Sequence, residues 1–87
     1  MTRQEISETR KTAEMYLAAK TFTFIKELNT AGEINLYNGY VLEIHDDFIV
    51  FQDRIIRNPI PIPIDHITKI DVSRVKEEVG GKYENKD

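Results

Sequence analysis

The sequence predicts a mainly β domain that begins with one α-helix. Two observations carry this expectation. From Arg3 to Asn29 the chain has no Gly or Pro and its apolar residues follow a helical spacing, whereas after Gly32 the apolar spacing changes to period two. At 87 residues the chain is long enough for one domain and too short for a second. We therefore expect a single domain over residues 1–76 and a flexible polar C-terminal tail over 77–87.

The predicted helix covers about residues 4–29. Thr2 or Ser7 can cap its start, and Thr2 with Glu5 has the spacing of a capping box. Gly32 suits the left-handed residue that often closes a helix. The apolar stripe that predicts the helix consists of Ile6, Ala13, Leu17, Phe24 and Leu28.

One stretch of this segment also fits a strand. Thr21 to Ile25 alternates polar residues with aromatic and β-branched ones, which favours a strand, whereas Lys26-Glu27-Leu28 favours a helix again. We expect one long helix, weakened near Thr21, and leave the strand alternative open. A helix of about 25 residues is about 37 Å long. Its first turns, from Ile6 to Ala13, are therefore expected to project beyond the strands, where they can bind a protein partner or a second copy.

Five short strands are predicted over about residues 33–73. Asn38-Gly39 lies between two alternating segments and predicts a hairpin turn with positive φ at both residues. Asp46-Asp47 predicts a second tight turn. Pro59, Pro61 and Pro63 alternate with isoleucines and so remove the N–H groups from one edge, which predicts an edge strand. The expected strands are Ile34–Tyr37, Tyr40–Ile44, Phe48–Phe51, Ile60–Ile64 and Ile67–Val72. A helix followed by five short, bent strands describes a small SH3-like barrel.

Composition excludes several classes of function. The chain has no Cys, so it has no disulfide, no thiolate nucleophile and no Cys-based zinc site, and it suits a reducing compartment. No apolar run approaches the roughly 20 residues that cross a bilayer, and the polar start predicts no secretion signal. We expect a cytoplasmic protein without membrane contact. The net charge of −3 argues against strong sequence-independent binding of nucleic acid, although a local patch can still bind.

We predict no catalytic, cofactor or metal site, and therefore no enzyme. Ser7 and Ser73 lie outside any nucleophile-elbow context, and the chain has no glycine-rich phosphate loop. His45-Asp46-Asp47 is a candidate metal or acid–base cluster, but neighbouring residues of a strand face opposite ways, so a turn is favoured. His45 and His66 lack the spacing of zinc ligands.

The segment from about Gly32 to Arg74 resembles the Sm-like proteins, which include bacterial Hfq. Ile34–Phe51 is similar to the first motif of that family, which runs strand, Asn-Gly, strand, an Asp-containing loop and an apolar strand. Ile64–Ile70 is similar to the shorter second motif. The resemblance implies an Sm-like five-stranded barrel with an N-terminal helix on it. It also implies a homo-oligomeric ring in which the fourth strand of one chain pairs with the fifth of the next. Family members usually have a longer, more bent second strand that contains a glycine, whereas the interval from Gly39 to Asp46 is short in this chain.

The resemblance further implies a non-catalytic, oligomeric module that binds single-stranded RNA. Asp46 and Phe48 match the loop aspartate and the base-stacking aromatic residue of the family, and His66 matches the Hfq histidine. Taken alone, a histidine at a strand–turn boundary more often bonds to backbone. Arg54 and Arg57, in the longest loop, are the best candidates for phosphate contacts, although a mixed-charge surface is the default interpretation.

A protein-interaction or scaffold module on the same barrel is the alternative. It would be a monomer or a helix-mediated dimer without RNA binding, and its contact surfaces would be the helix and the strand Ile60–Ile64. The proline-containing strand and the acidic balance favour this alternative.

Overall fold

The computed structural model describes residues 2–77 and shows a mainly β fold with an N-terminal helix. The elements are α1 (Arg3–Ala19), β1 (Thr23–Leu28), β2 (Ile34–Ile44), β3 (Phe48–Asp53), β4 (Ile60–Pro63), a 3₁₀ turn (Ile64–His66) and β5 (Ile67–Val72). The strands form one antiparallel sheet in the order β4-β3-β2-β1-β5. The predicted fold class is confirmed, but β4 and β5 are the two edges of this sheet, so the sheet is open and only approximates a barrel. Apart from Glu77, the predicted tail lies outside the described residues.

The helix starts as predicted and ends early. The Thr2 hydroxyl accepts the Glu5 N–H at 3.0 Å, and the Glu5 carboxylate accepts the Thr2 N–H at 2.7 Å, which completes the capping box. The Thr2 backbone bond lowers the pKa of Glu5. Lys20 takes the left-handed conformation at φ 54°, and the next N–H, that of Thr21, donates to the Tyr16 carbonyl at 3.0 Å. The left-handed Lys20 and this hydrogen bond close the helix at Ala19.

The prediction of one helix from about residue 4 to 29 is therefore wrong in its second half, where β1 lies. β1 pairs with β2 on one side and β5 on the other, so its backbone groups have ladder partners along both edges. The inward side chains Thr23 and Ile25 are fully buried. This tertiary pairing outweighs the helical preference of Lys26-Glu27-Leu28, because differences in helix propensity are worth only about 0.5 kcal/mol per residue.

The hairpin predicted at Asn38-Gly39 is also wrong, because both residues lie inside the 11-residue strand β2. Within residues 2–77, positive φ occurs at Lys20 and Gly32 instead. Gly39 has a different structural role, because β3 lies too close for a side chain at this position. A Cβ added there would lie 2.9 Å from the Asp53 Cα and 2.8 Å from the Gln52 carbonyl carbon on β3. The glycine thus allows close approach of two backbones rather than a reversal of the chain.

The chain reverses earlier, between β1 and β2. Gly32 has φ 83° and its N–H donates to the Asn29 carbonyl at 3.0 Å. The Asn29 side-chain oxygen accepts the N–H groups of Ala31 at 3.0 Å and Glu33 at 2.9 Å. Gly32 is thus left-handed as expected, but it closes a hairpin instead of a helix.

The second half of the sheet follows the sequence expectation. The turn at Asp46-Asp47 is confirmed, with the His45 N–H donating to the Phe48 carbonyl at 2.8 Å. β4 is an edge strand, as its prolines predict. The Ile64 N–H donates to the Asp47 carbonyl at 3.0 Å, toward the β3 side, so the alternating prolines point their donor-free side outward.

The core lies between the inner face of the sheet and α1. Its buried members are Ala13, Ile25, Val41, Ile49, Phe51, Ile62, Ile64 and Ile67. Ala13 is fully buried, and Ile6 and Leu17 pack against the same cluster. The expectation that residues 6–13 project beyond the strands is therefore wrong. The helix has 17 residues and is about 26 Å long, a length that the sheet can cover.

Candidate functional site

The loop that joins β3 to β4 is fixed by one buried carboxylate. Asp53, at the end of β3, accepts the Asn38 N–H at 2.8 Å from β2. Its other oxygen accepts the N–H groups of Ile55 at 2.9 Å and Ile56 at 3.2 Å. Hydrogen bonds to a charged group are among the stronger ones in proteins. The loop therefore has a defined conformation at its start, where Arg54 lies.

Arg54 has a cationic nitrogen without a partner. Its backbone N–H donates to the Asn38 carbonyl at 2.8 Å, which fixes the residue against β2. Its side-chain Nη1 is buried and has no hydrogen-bond partner among the described residues. The adjacent carboxylate of Asp53 already accepts three backbone N–H groups. Within residues 2–77 neither Arg54 nor Arg57 forms a salt bridge. A buried donor without a partner is costly, so an acceptor that reaches this nitrogen, from a water or an anionic ligand, would be favourable.

Arg54 and Arg57 line one cavity of about 450 Å³, which we name the loop cavity. Its other principal lining residues are Phe22, Tyr40, Gln52 and Glu77. The rings of Phe22 and Tyr40 pack with centroids 5.5 Å apart at 53°. The Tyr40 hydroxyl donates to the Glu77 carboxylate, and this bond raises the pKa of Tyr40. The loop cavity thus places two cations and two carboxylates, those of Asp53 and Glu77, beside an aromatic pair. Its volume is typical of small-ligand sites.

Asp46 and Phe48, the two predicted site residues at the β2–β3 turn, lie outside the loop cavity. Arg10 of the helix donates to the backbone carbonyls of His45 at 2.6 Å and Asp46 at 3.0 Å, while the Asp46 side chain is fully exposed. The half-buried Phe48 ring stacks on the His45 ring, with centroids 4.5 Å apart and planes at 14°. His45 therefore covers one face of the aromatic ring that was expected to bind a base.

His66 belongs to a third location, a buried polar cluster. Its Nδ1 lies 3.1 Å from the carboxylate of Glu27, which is buried. The same carboxylate accepts hydrogen bonds from the Tyr37 hydroxyl at 3.2 Å and the Asn35 amide at 3.3 Å. Burial raises the pKa of Tyr37, and the nearby Glu27 carboxylate raises it further. His66 thus bonds to a carboxylate rather than to backbone, and the cluster joins β1, β2 and the 3₁₀ turn.

The predicted set therefore does not converge on one site. Arg54 and Arg57 share the loop cavity, whereas His66 lines a separate groove beside the start of the helix. Asp46 and Phe48 line neither of these two cavities. β3 separates Phe48 from the arginine loop by about 17 Å, at 3.3 Å per residue.

Sequence reasoning alone does not identify Glu27 and Tyr40 as candidate site residues. Glu27 was assigned to the helix, although it continues the alternation of Thr23 and Ile25, both fully buried in β1. That alternation was the available signal. No sequence signal indicates Tyr40, because only the folding of the β3–β4 loop over β2 brings it close to Arg54 and Arg57.

Among residues 2–77 no group of three or more His, Cys, Asp or Glu side chains is placed to hold a metal ion. No helix in that range has the length and apolar character needed to span a membrane. Neither models of known protein families nor curated protein sequences match the chain.

Proposed function

We propose that this protein is a non-catalytic module that binds single-stranded RNA, and that the loop cavity takes one nucleotide. The observation that carries the proposal is that Arg54 lines this cavity and that its buried Nη1 has no partner among the described residues. A phosphate oxygen supplies the acceptor that the nitrogen lacks. Arg57, exposed at the rim, adds a second charge-assisted contact to the same phosphate.

The aromatic pair supports a nucleotide over a simple anion. Tyr40 is partly exposed on the outer side of β2 and is braced by Phe22. Stacking of a base on such a ring contributes about 1–3 kcal/mol and does not need a surplus of positive charge on the whole protein. This suits a chain with a net charge of −3.

The resemblance to Sm-like proteins supports the proposal at the level of architecture. The chain has an N-terminal helix followed by five strands, and its second strand has 11 residues with Gly39 inside it. A long second strand that contains a glycine is usual in that family. The RNA contacts proposed here differ from those implied by the resemblance, since they centre on Arg54 and Arg57 rather than on Phe48.

Fluorescence anisotropy with a labelled, uridine-rich or adenine-rich RNA tests the proposal. We expect Arg57→Gln to weaken binding about tenfold and to lower the slope of log affinity against log salt by about one, as for one lost phosphate contact. Tyr40→Leu should weaken binding about five- to a hundredfold without changing that slope. Arg3→Gln, at an exposed position of the helix, is the matched control and should change little.

Two outcomes would contradict the proposal. The first is wild-type protein that binds neither RNA. The second is an Arg57→Gln variant that binds as well as Arg3→Gln while Phe48→Leu binds weakly. That result would place RNA at the β2–β3 turn, as the family resemblance alone implies.

A further inference from the structure

The outer face of the sheet, opposite the core, carries apolar side chains that nothing covers within residues 2–77. Thr23, Ile25 and Glu27 of β1 are buried, so the alternate residues Phe24, Lys26 and Leu28 face outward. In register on β2, Leu36 lies opposite Lys26 and Ile34 lies opposite Leu28. The exposed fractions are 44% for Leu28, 58% for Ile34 and 60% for Leu36. We name these four apolar residues (Phe24, Leu28, Ile34 and Leu36) the outer face.

A shallow groove extends the outer face toward β5. It has a volume of about 330 Å³ and runs from Phe24 and Leu36 to Val75, which is 42% exposed. Single exposed apolar residues are ordinary on protein surfaces, whereas a contiguous, concave set marks an interaction site. The outer face and its groove form such a set.

The charges around the outer face identify the kind of partner. Lys26 lies directly opposite Lys69 of β5, and like charges in this position destabilise a sheet. Within the described residues neither lysine forms a salt bridge, and neither does Arg74 at the groove. Asp71 is the one acidic residue that lines the groove within that range. The face is thus basic on a protein of net charge −3, so a second copy placed face to face would be repelled.

We propose that the outer face binds a protein segment in which apolar side chains alternate with acidic ones. The apolar side chains fill the groove, and a carboxylate placed between Lys26 and Lys69 relieves their repulsion. Three of the four outer-face residues are aliphatic, and the one ring, that of Phe24, is only partly exposed. A base has little ring surface to stack on here, so the observations favour a protein over a nucleic acid. The loop cavity lies at other residues, so this inference does not depend on RNA binding.

Chemical-shift titration of the ¹⁵N-labelled protein tests the inference. The probe is a ten-residue synthetic peptide of alternating Leu and Glu, blocked at both ends. The two control peptides replace Glu by Lys and Leu by Ser. We expect the Leu–Glu peptide to shift the amides of β1, β2 and β5 around the groove, and both control peptides to bind at least tenfold more weakly.

Variants of exposed side chains locate the contact without disturbing the core. Leu36→Ser and Lys69→Glu should each weaken peptide binding about tenfold and leave RNA affinity unchanged. Leu42→Ser, 43% exposed on the same strand but outside the groove, is the matched control. Equal binding of the Leu–Lys peptide, or full binding by Leu36→Ser, would overturn the proposal. Shifts on this face that depend on protein concentration alone would overturn it in favour of a second copy.

Discussion

Glu27 connects three polar side chains that come from different parts of the chain. Its carboxylate bonds to Asn35 and Tyr37 on β2 and to His66 in the 3₁₀ turn. A buried carboxylate is tolerated only when its oxygens have donors, so the cluster depends on all of its members. The cluster stabilises the end of the sheet where β1, β2 and the 3₁₀ turn meet.

The Tyr37 hydroxyl gives this cluster a measurable pH dependence. Its pKa is raised above the ordinary value near 10 by burial and by the Glu27 carboxylate. A raised pKa means that the stabilising contribution is complete below pH 10 and is lost as the pH rises through the folded-state pKa. We expect Tyr37→Phe to lower the free energy of unfolding by about 1–2 kcal/mol at pH 8, and the gap to wild type to shrink above pH 10.

Urea denaturation of both proteins from pH 8 to pH 11.5 measures this gap. Tyr40 also titrates late, but it is present in both proteins and its effect cancels in the difference. A gap that stays constant or widens with pH would show that the Tyr37 hydroxyl is not bonded to Glu27.

The end of α1 shows how one backbone conformation sets an element boundary. Lys20 is exposed and has φ 54° and ψ 46°, a conformation that a residue with a Cβ adopts at a cost. It reverses the chain immediately before β1, so the strand can enter the sheet. The helix therefore stops because β1 must pair on both sides, although no glycine or proline marks the position.

We expect Lys20→Gly to raise the free energy of unfolding by about 1 kcal/mol, because glycine adopts the left-handed conformation without strain. In a domain of this size the midpoint of thermal unfolding should rise by about 4–8 °C. Lys11→Gly is the matched control: it lies in the interior of the helix on an exposed side and should lower stability by about 1 kcal/mol. A decrease for both variants would show that the helix continues through Lys20.

At the scale of the whole molecule, the open sheet leaves two strand edges that differ in chemistry. The outward side of β4 offers carbonyls but no N–H groups at Pro61 and Pro63, whereas β5 contains no proline. A strand that pairs with β4 can therefore form only part of the usual ladder. The ring implied by the Sm-like resemblance, in which these two edges pair between chains, would rest on donors from β5 alone.

We expect the double substitution Pro61→Val and Pro63→Val to increase self-association, because it adds two donors to the free edge of β4. Light scattering behind size exclusion, over a range of protein concentrations, should give a higher average mass than for wild type. Pro59→Val, just before the strand, should have a smaller effect. An unchanged mass would mean that the edge is blocked by something other than the prolines. The wild-type mass in the same experiment tests the expected homo-oligomer.

The sequence by itself determined the elements whose signals are local. The Thr2–Glu5 capping box, the Asp46-Asp47 turn and the proline-marked edge strand all lie where their residues predict. Each depends on bonds within a few residues, or on the absence of an N–H group, and needs no knowledge of distant partners. The five-strand count was also correct, although two predicted strands are one and a helical segment supplies another.

Only the tertiary structure decided the rest, because the deciding contacts are distant along the chain. Asn38-Gly39 is typical of a turn locally, but the approach of β3 requires a glycine within a continuous strand. The burial of the Glu27 carboxylate is tolerated because distant residues supply donors, among them His66, 39 residues later. The candidate site combines local and distant contacts. Arg54 and Arg57 are close in sequence and lie in one loop, whereas Tyr40 reaches them only through the pairing of β2 with β3. Pairing across the sheet thus outweighed local preference wherever the two disagreed, since it satisfies backbone groups and buries side chains together.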